Sequence, residues 1–174
     1  MDAIEICGVA IRFDQWGRPT DRCHAMLARP NCFDRTSRPI ALLLDHQEDT
    51  RFATTQDAAL QVWADQTAVF FRAALPWTRR NAGLARMVRD GQLREASVRF
   101  ADDRESVMHV DGGEEVVRSD LIEISIVASA AQDGTATWLA DEPIETLPLA
   151  VQRARALWGR SSMAAALHAE RAGR

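Results

Sequence analysis

The stretch Leu93-Arg94-Glu95-Ala96-Ser97-Val98-Arg99-Phe100 alternates apolar and polar side chains and predicts a β-strand. Because successive side chains of a strand point to opposite faces, Ala96 and Val98 share one face while Ser97 and Arg99 share the other. A serine on the solvent side of a strand is ordinarily a surface residue, so Ser97 alone indicates no catalytic role. It becomes informative together with two neighbouring segments.

A carboxylate and an imidazole lie on or beside two further predicted strands. The strand Leu121–Val127 has isoleucines on one face and Glu123 on the other, and a carboxylate is unusual in so apolar a segment. The apolar run Ile40–Leu44 predicts a third strand, and His46 follows at its exit. If these strands share a sheet, Ser97, His46 and Glu123 lie close together.

Serine acyl transfer needs these three residue types. Ser97 would attack a carbonyl carbon, His46 would take and return the proton, and Glu123 would fix the imidazole tautomer and stabilise its charge. A buried Glu123 would have a raised pKa unless it were paired, and an imidazolium would pair it. Non-catalytic interpretations stay open: His46 could be a histidine that hydrogen-bonds locally, and Glu123 could be a glutamate that faces solvent. His109 is an alternative to Glu123 as the third residue of this catalytic set.

Composition narrows the class of protein. A chain of 174 residues with 47% hydrophobic and 26% charged residues is typical of a soluble globular protein. The net charge of −4 argues against nucleic acid as a partner. No apolar run is long enough for a membrane span, and the first residues resemble no secretion signal. All 21 basic residues are arginine, which excludes a serine–lysine dyad.

The cysteines predict neither disulfides nor a metal site. Three cysteines without tight spacing are typical of a reducing compartment. The set Cys7, Cys23, His24 and Cys32 matches no zinc-ligand spacing, so buried free thiols are the better interpretation. We therefore expect no metal and no cofactor.

The order of predicted elements favours an α+β protein. Many short strands and two separated helical segments predict a small antiparallel β-barrel flanked by helices, with a C-terminal helical tail. Gly8 marks a bulge or a close approach in the first strand, and residues 81–90 form the middle helix. Residues 131–148 have the composition of a linker. We divide the chain into a domain over 1–137, a linker over 138–148 and a tail over 149–174, which is weakly broken at Gly159.

Six segments, taken in order, resemble the prohead (capsid maturation) proteases of tailed phages and gene-transfer agents, which are related to the herpesvirus assemblins. Leu42–His46 resembles the family's Leu-x-x-Asp-His signature. Leu93–Phe100 resembles its Leu-x-Gly-x-Ser-x-Gly-Phe segment, and Leu121–Val127 resembles its Leu-x-Glu-x-Ser-x-Val strand. The other three similar segments are Gly8–Phe13, Pro30–Phe33 and Phe70–Leu75.

The resemblance implies an assemblin-like fold and a serine endopeptidase of virion assembly. It implies Ser97 as nucleophile, His46 as base and Glu123 as orienting acid. The implied partners are the major capsid protein with its scaffolding segment and further copies of the protease, and the implied place is the procapsid in a bacterial cytoplasm. Cleavage would remove the scaffolding segment and would extend to the protease itself.

Two departures from the family pattern favour an alternative. Glu95 and Arg99 stand where the family usually has small residues or glycine beside the serine. Arg99 could hinder a peptide or could point at the oxyanion. The alternative is a catalytically inactive assembly protein on the same fold that binds coat subunits.

Overall fold

The computed structural model describes residues 3–19, 25–33, 38–101 and 107–172, and the fold is given over these residues. They contain two α-helices, α1 (Arg79–Arg89) and α2 (Leu149–Ala172). Short 3₁₀ turns lie at Glu48–Thr50 and Ile144–Thr146. The strands in chain order are β1 (Ile4–Arg12), β2 (Met26–Ala28), β3 (Ala41–Leu44), β4 (Ala53–Thr54), β5 (Leu60–Ala64), β6 (Ala68–Leu75), β7 (Glu95–Phe100), β8 (Val107–Val110), β9 (Gly113–Val116), β10 (Leu121–Val127) and β11 (Ala136–Leu139).

Over the described residues the strands form three sheets. The first has the order β11-β1-β6-β5 and is antiparallel throughout. The second has the order β4-β3-β10-β7, with β3 parallel to β10, and the third has the order β2-β9-β8, with β2 parallel to β9. None of these sheets closes into a barrel. A mixed fold of helices and mainly antiparallel sheets is therefore confirmed, while the predicted small barrel is not.

The first sheet is buried on both faces, which explains why β1 is apolar along most of its length. Ile6 and Phe71 point into the main core, which the first two sheets share with α1. Phe70 points the other way, into a second cluster with Val151 and Ala154 of α2. A strand covered on both faces carries apolar residues at consecutive positions instead of alternate ones. α2 thus fixes the outer face of this sheet.

Gly8 allows the ring of Phe71, on β6, to pack directly against the backbone of β1. A Cβ atom at Gly8 would overlap the ring of Phe71 and would lie 2.6 Å from the backbone oxygen of Ala136. The predicted close approach at Gly8 is confirmed. The irregularity in the β1–β6 register lies between Val9 and Ile11 instead.

Local signals fix both ends of α1. The Oγ1 of Thr78 accepts a hydrogen bond from the backbone N–H of Asn81 at 3.1 Å, which caps the first turn. Gly91 follows the helix with φ +79°, a conformation that glycine adopts without strain. Leu84 and Val88 face the core. The predicted middle helix is confirmed, beginning two residues earlier than expected.

The C-terminal region contains more structure than its composition indicates. β11 pairs with β1, and its Trp138 is only 1% exposed. This strand crosses the predicted boundary at residue 137, and the three-part division of the chain stays a prediction. α2 runs without a break through Gly159. Among the described residues, no helix combines the length and the apolar character that crossing a bilayer requires.

Candidate active site

The second sheet brings the three predicted site segments together. β10 lies between β3 and β7, and the β7–β10 register places Ser97 opposite Ser125 and Arg99 opposite Glu123. Directly opposed residues share a face of the sheet, so these four side chains line one face. β3 runs parallel to β10 and ends at Leu44, level with the residue after Ser125. The shared sheet expected from the sequence is confirmed.

A tight turn after β3 carries His46 over this face. Asp45 has φ 51° and His46 has φ 60°, in the left-handed region, which aspartate and histidine tolerate better than most residues. The backbone N–H of Asp45 donates to the oxygen of Ile126 at 3.1 Å, and the N–H of His46 donates to Oγ of Ser125 at 3.0 Å. A residue in this region costs about 1–3 kcal/mol of folding free energy. The two hydrogen bonds to β10 offset part of this cost and hold the turn in place.

A threonine closes the loop that contains His46. The Oγ1 of Thr50 accepts a hydrogen bond from the N–H of Leu44 at 3.0 Å and donates to the oxygen of Gln47 at 2.6 Å. Both ends of the loop are therefore bound to each other, and His46 projects from a short, closed segment.

Glu123 is the buried acid of the face, with only 1% of its surface exposed. Its Oε1 accepts a hydrogen bond from Oγ of Ser125 at 3.0 Å and pairs with Nδ1 of His46. Its Oε2 lies 3.3 Å from Nη2 of Arg99 and accepts no hydrogen bond from the described residues. Burial acts to raise the pKa of Glu123, but the bonds from His46 and Ser125 and the charges of His46 and Arg99 outweigh it. The net pKa is lowered from its usual range.

The imidazole of His46 is oriented through one of its two nitrogens. Nδ1 faces Glu123, while Nε2 makes no hydrogen bond within the described part of the chain. The side chain is 32% exposed, so a reactant can reach the ring. An imidazole held by a carboxylate at Nδ1 can accept a proton at Nε2. His46 is therefore a candidate base whose ring Glu123 orients.

The two serines of the face differ in what their hydroxyls do. Ser125 is fully buried, and its Oγ bridges the backbone of His46 and the carboxylate of Glu123. Ser97 is partly exposed, and its Oγ makes no hydrogen bond to another described residue. The hydroxyl of Ser125 is thus bonded to both Glu123 and His46, whereas Ser97 is left as the candidate nucleophile.

Glu95 and Arg99, which flank Ser97, both have partners. Oε2 of Glu95 accepts a hydrogen bond from the backbone N–H of Ala130 at 2.5 Å, which ties the start of β7 to the loop after β10. Arg99 pairs with Glu123 and also with Glu48, at 3.1 Å. Its guanidinium therefore points across the sheet toward the buried acid.

A small cavity adjoins Ser97, and a large cleft lies elsewhere. The small cavity has a volume of about 50 Å³, and its walls include Ser97, Gly17, Met26 and Ala131. The cleft of about 1240 Å³ lies between α1 and the start of β1, and none of Ser97, His46 and Glu123 lines it.

Other candidates from the sequence lie apart from this face. His109 belongs to β8 in the third sheet, and its side chain is 83% exposed and 3.4 Å from Glu114. Cys7 and Cys32 are buried thiols. Cys23 and His24 lie outside the described residues. Over the residues that are described, no group of three His, Cys, Asp or Glu side chains is arranged to hold a metal ion.

Sequence reasoning missed the connecting role of Ser125 and the partners of Arg99. A signal for Ser125 exists, since it follows Glu123 by two residues and so shares its face. Periodicity gives the face of a residue but not its partner, so neither hydrogen bond of Ser125 could be derived.

Comparison with known proteins identifies the family. The family model described as caudovirus prohead serine protease matches residues 1–148 of the chain. This range includes all three sheets and every residue of the face around Ser97. No curated protein matches the sequence.

Proposed function

The chain belongs to the caudovirus prohead serine protease family, and from that premise we propose that it is a serine endopeptidase of the Ser-His-Glu type. Ser97 is the nucleophile, His46 the general base and Glu123 the orienting acid. The observation that carries the proposal is the pairing of His46 Nδ1 with the buried Glu123, on the same sheet face as Ser97. Family membership makes the protein a hydrolase of phage capsid maturation.

The proposed reaction follows serine acyl transfer. The Oγ of Ser97 forms a bond to the peptide carbonyl carbon while its proton passes to Nε2 of His46. When the carbon–nitrogen bond breaks, His46 returns that proton to the leaving amine. Water then hydrolyses the acyl-enzyme, with His46 again acting first as base and then as acid. Glu123 stabilises the imidazolium in each half.

Ser97 is preferred to Ser125 as nucleophile because of burial and bonding. Attack by Ser125 would break its bonds to His46 and Glu123, and the substrate would have to reach a fully buried atom. Ser97 is the more accessible of the two, and no other described group uses its hydroxyl.

The proposed substrate is the scaffolding segment of the major capsid protein, cleaved inside the assembling procapsid of a bacterial host. The family supports the setting, since a prohead protease acts on capsid proteins during assembly. The protein is further proposed to associate with other copies of itself within the shell.

Self-cleavage is proposed for the segment between the protease domain (1–137) and the helical tail (149–174). Within the predicted linker 138–148, Trp138, Leu139 and Leu147 are buried, whereas residues 143–146 are exposed. A protease needs an exposed, extended chain. The 3₁₀ turn at Ile144–Thr146 therefore has to open before a cut is made within the exposed residues 143–146. A purified protein that stays full length on long incubation would count against this.

A catalytically inactive assembly protein is the second candidate. It is favoured by Arg99, which stands two residues from Ser97 where the family usually has glycine. Such a protein would bind coat subunits without cutting them.

Co-expression with the neighbouring coat protein separates the two candidates. The wild type, Ser97→Ala and the exposed control Ser129→Ala would be compared by the intact masses of coat and protease. We expect truncated coat with the wild type and Ser129→Ala, and none with Ser97→Ala. Assembled shells with full-length coat in all three would support the inactive protein, and truncation that persists in Ser97→Ala would refute Ser97 as nucleophile.

A further inference from the structure

Arg99 occupies a position from which it contacts the acid of the site and not the nucleophile. It lies directly opposite Glu123 in the β7–β10 register, and its Nη2 is 3.3 Å from Oε2 of that residue. The same nitrogen is 3.1 Å from Oε1 of Glu48, in the 3₁₀ turn that follows His46. Neither contact involves Ser97.

The two oxygens of Glu123 have different partners, and Arg99 is the partner of the oxygen that receives no hydrogen bond from the described residues. Oε1 serves His46 and Ser125, while Oε2 is buried and receives no hydrogen bond from the described residues. Among the described residues, Arg99 is the one arginine that forms an ion pair with Glu123, and it does so at Oε2. A carboxylate that is 1% exposed is strongly disfavoured when its charge is uncompensated.

The link from Arg99 to Glu48 reaches across the sheet. Arg99 belongs to β7 at one edge, and Glu48 follows β3, two strands away. The guanidinium therefore lies over Glu123 and joins β7 to the segment that holds His46. Glu48 is 82% exposed, so this contact is the weaker of the two.

We propose that Arg99 is a positioning residue for the His46–Glu123 pair. Its guanidinium holds Oε2 of Glu123, which keeps the carboxylate ionised and leaves Oε1 oriented toward the imidazole. The inference rests on the proposed function, and it gives Arg99 a part in the reaction that acts through Glu123.

Reaction with diisopropyl fluorophosphate tests this without a known substrate. The Oγ of Ser97 forms a bond to phosphorus, the phosphorus–fluorine bond breaks, fluoride leaves, and the hydroxyl proton passes to His46. We expect Arg99→Met to lower the second-order rate about tenfold, because the base loses its orientation in part of the population. Arg99→Lys should retain the rate within about threefold. In the matched control Arg89→Met, the change removes the exposed ion pair between Arg89, at the end of α1, and Asp141. This control should leave the rate unchanged.

A double-mutant cycle shows whether Arg99 acts through Glu123. In the Glu123→Gln background, the further change Arg99→Met should alter the rate less than about twofold. Equal rates for Arg99→Met and the wild type would overturn the proposal, as would an undiminished effect of Arg99→Met beside Glu123→Gln. If Arg99→Met fails to fold, folding of the double variant supports charge compensation, and failure of both variants refutes it.

A second readout does not depend on activity. Titration of the Glu123 carboxyl by carbon-13 NMR should give a higher pKa in Arg99→Met than in the wild type and in Arg89→Met. A wild type that does not react with the reagent would refute the proposed function. The titration would then still decide the role of Arg99, since an unchanged pKa contradicts it.

Discussion

The hydroxyl of Ser125 lies 3.0 Å from the backbone nitrogen of His46 and accepts its hydrogen bond. Its own proton is donated to Oε1 of Glu123, also at 3.0 Å. One buried side chain thus ties the backbone of His46 to the carboxylate that pairs with the imidazole of the same residue. The turn at His46 and the acid on β10 are positioned as a unit.

Ser125→Ala should destabilise the protein, because it leaves the N–H of His46 without its partner and removes one donor from Glu123. The expected loss is about 1–3 kcal/mol in the free energy of unfolding. Urea unfolding of the variant and of the exposed control Ser129→Ala measures it, and the control should differ from the wild type by less than about 0.5 kcal/mol. Equal stability of both variants would show that the bridge contributes nothing.

The sequence predicts the participants of the site better than their contacts. Alternation places Ser97 and Glu123 on faces, and the position of His46 after a strand places it at a sheet edge. Alternation does not show that Glu123 is buried. The loop that follows β3 brings His46 onto Glu123, and the position of this loop depends on long-range packing. The contacts of Arg99 likewise depend on the β7–β10 register, which the separate strands do not reveal.

The overall architecture was predicted in part for a similar reason. Strand positions follow from local patterns, but sheet order depends on pairing between distant segments. The sequence therefore predicts a small barrel, whereas the described residues form three sheets. β11 was missed because Ala136–Leu139 is short and lies among Gly, Asp and Pro residues, which indicate a linker. Its burial comes from β1 and α2.

Gly8→Ala should be strongly destabilising, because the added methyl group would overlap the ring of Phe71 and approach the oxygen of Ala136. Overpacking of this kind costs about 1–3 kcal/mol. The matched change Gly83→Ala adds a methyl group on α1 with no atom within 4 Å and should instead stabilise by roughly 0.5–1 kcal/mol. Thermal unfolding of both variants gives the sign of each effect, and a neutral Gly8→Ala would contradict the close approach.

Stability should fall in acid partly because of Glu123. Its folded-state pKa is lowered from 4.5, so the folded protein binds this proton less readily than the unfolded chain. The contribution is therefore fully present above pH 4.5 and is lost as the pH falls through the folded-state pKa. Urea unfolding from pH 7 to pH 3 should show a shallower decline for Glu123→Gln than for the wild type. Parallel curves would contradict the lowered pKa.

Cys7 should be inert to alkylation in the folded protein. Burial raises the pKa of its thiol to about 12, against the opposing charge of Arg72, so almost no thiolate forms near pH 8. Iodoacetamide followed by peptide mass mapping should leave Cys7 unmodified without denaturant and modified in urea. Equal modification in both conditions would mean that the first sheet opens readily.

The most direct measurement is the site of a fluorophosphonate adduct on the wild-type protein, mapped by peptide mass spectrometry. We predict one adduct on Ser97, formed slowly or not at all in His46→Ala, with Ser125 and the exposed Ser129 unmodified. An adduct on Ser125, or none on any serine of a folded wild-type protein, would contradict the assignment of Ser97, His46 and Glu123 as the catalytic residues.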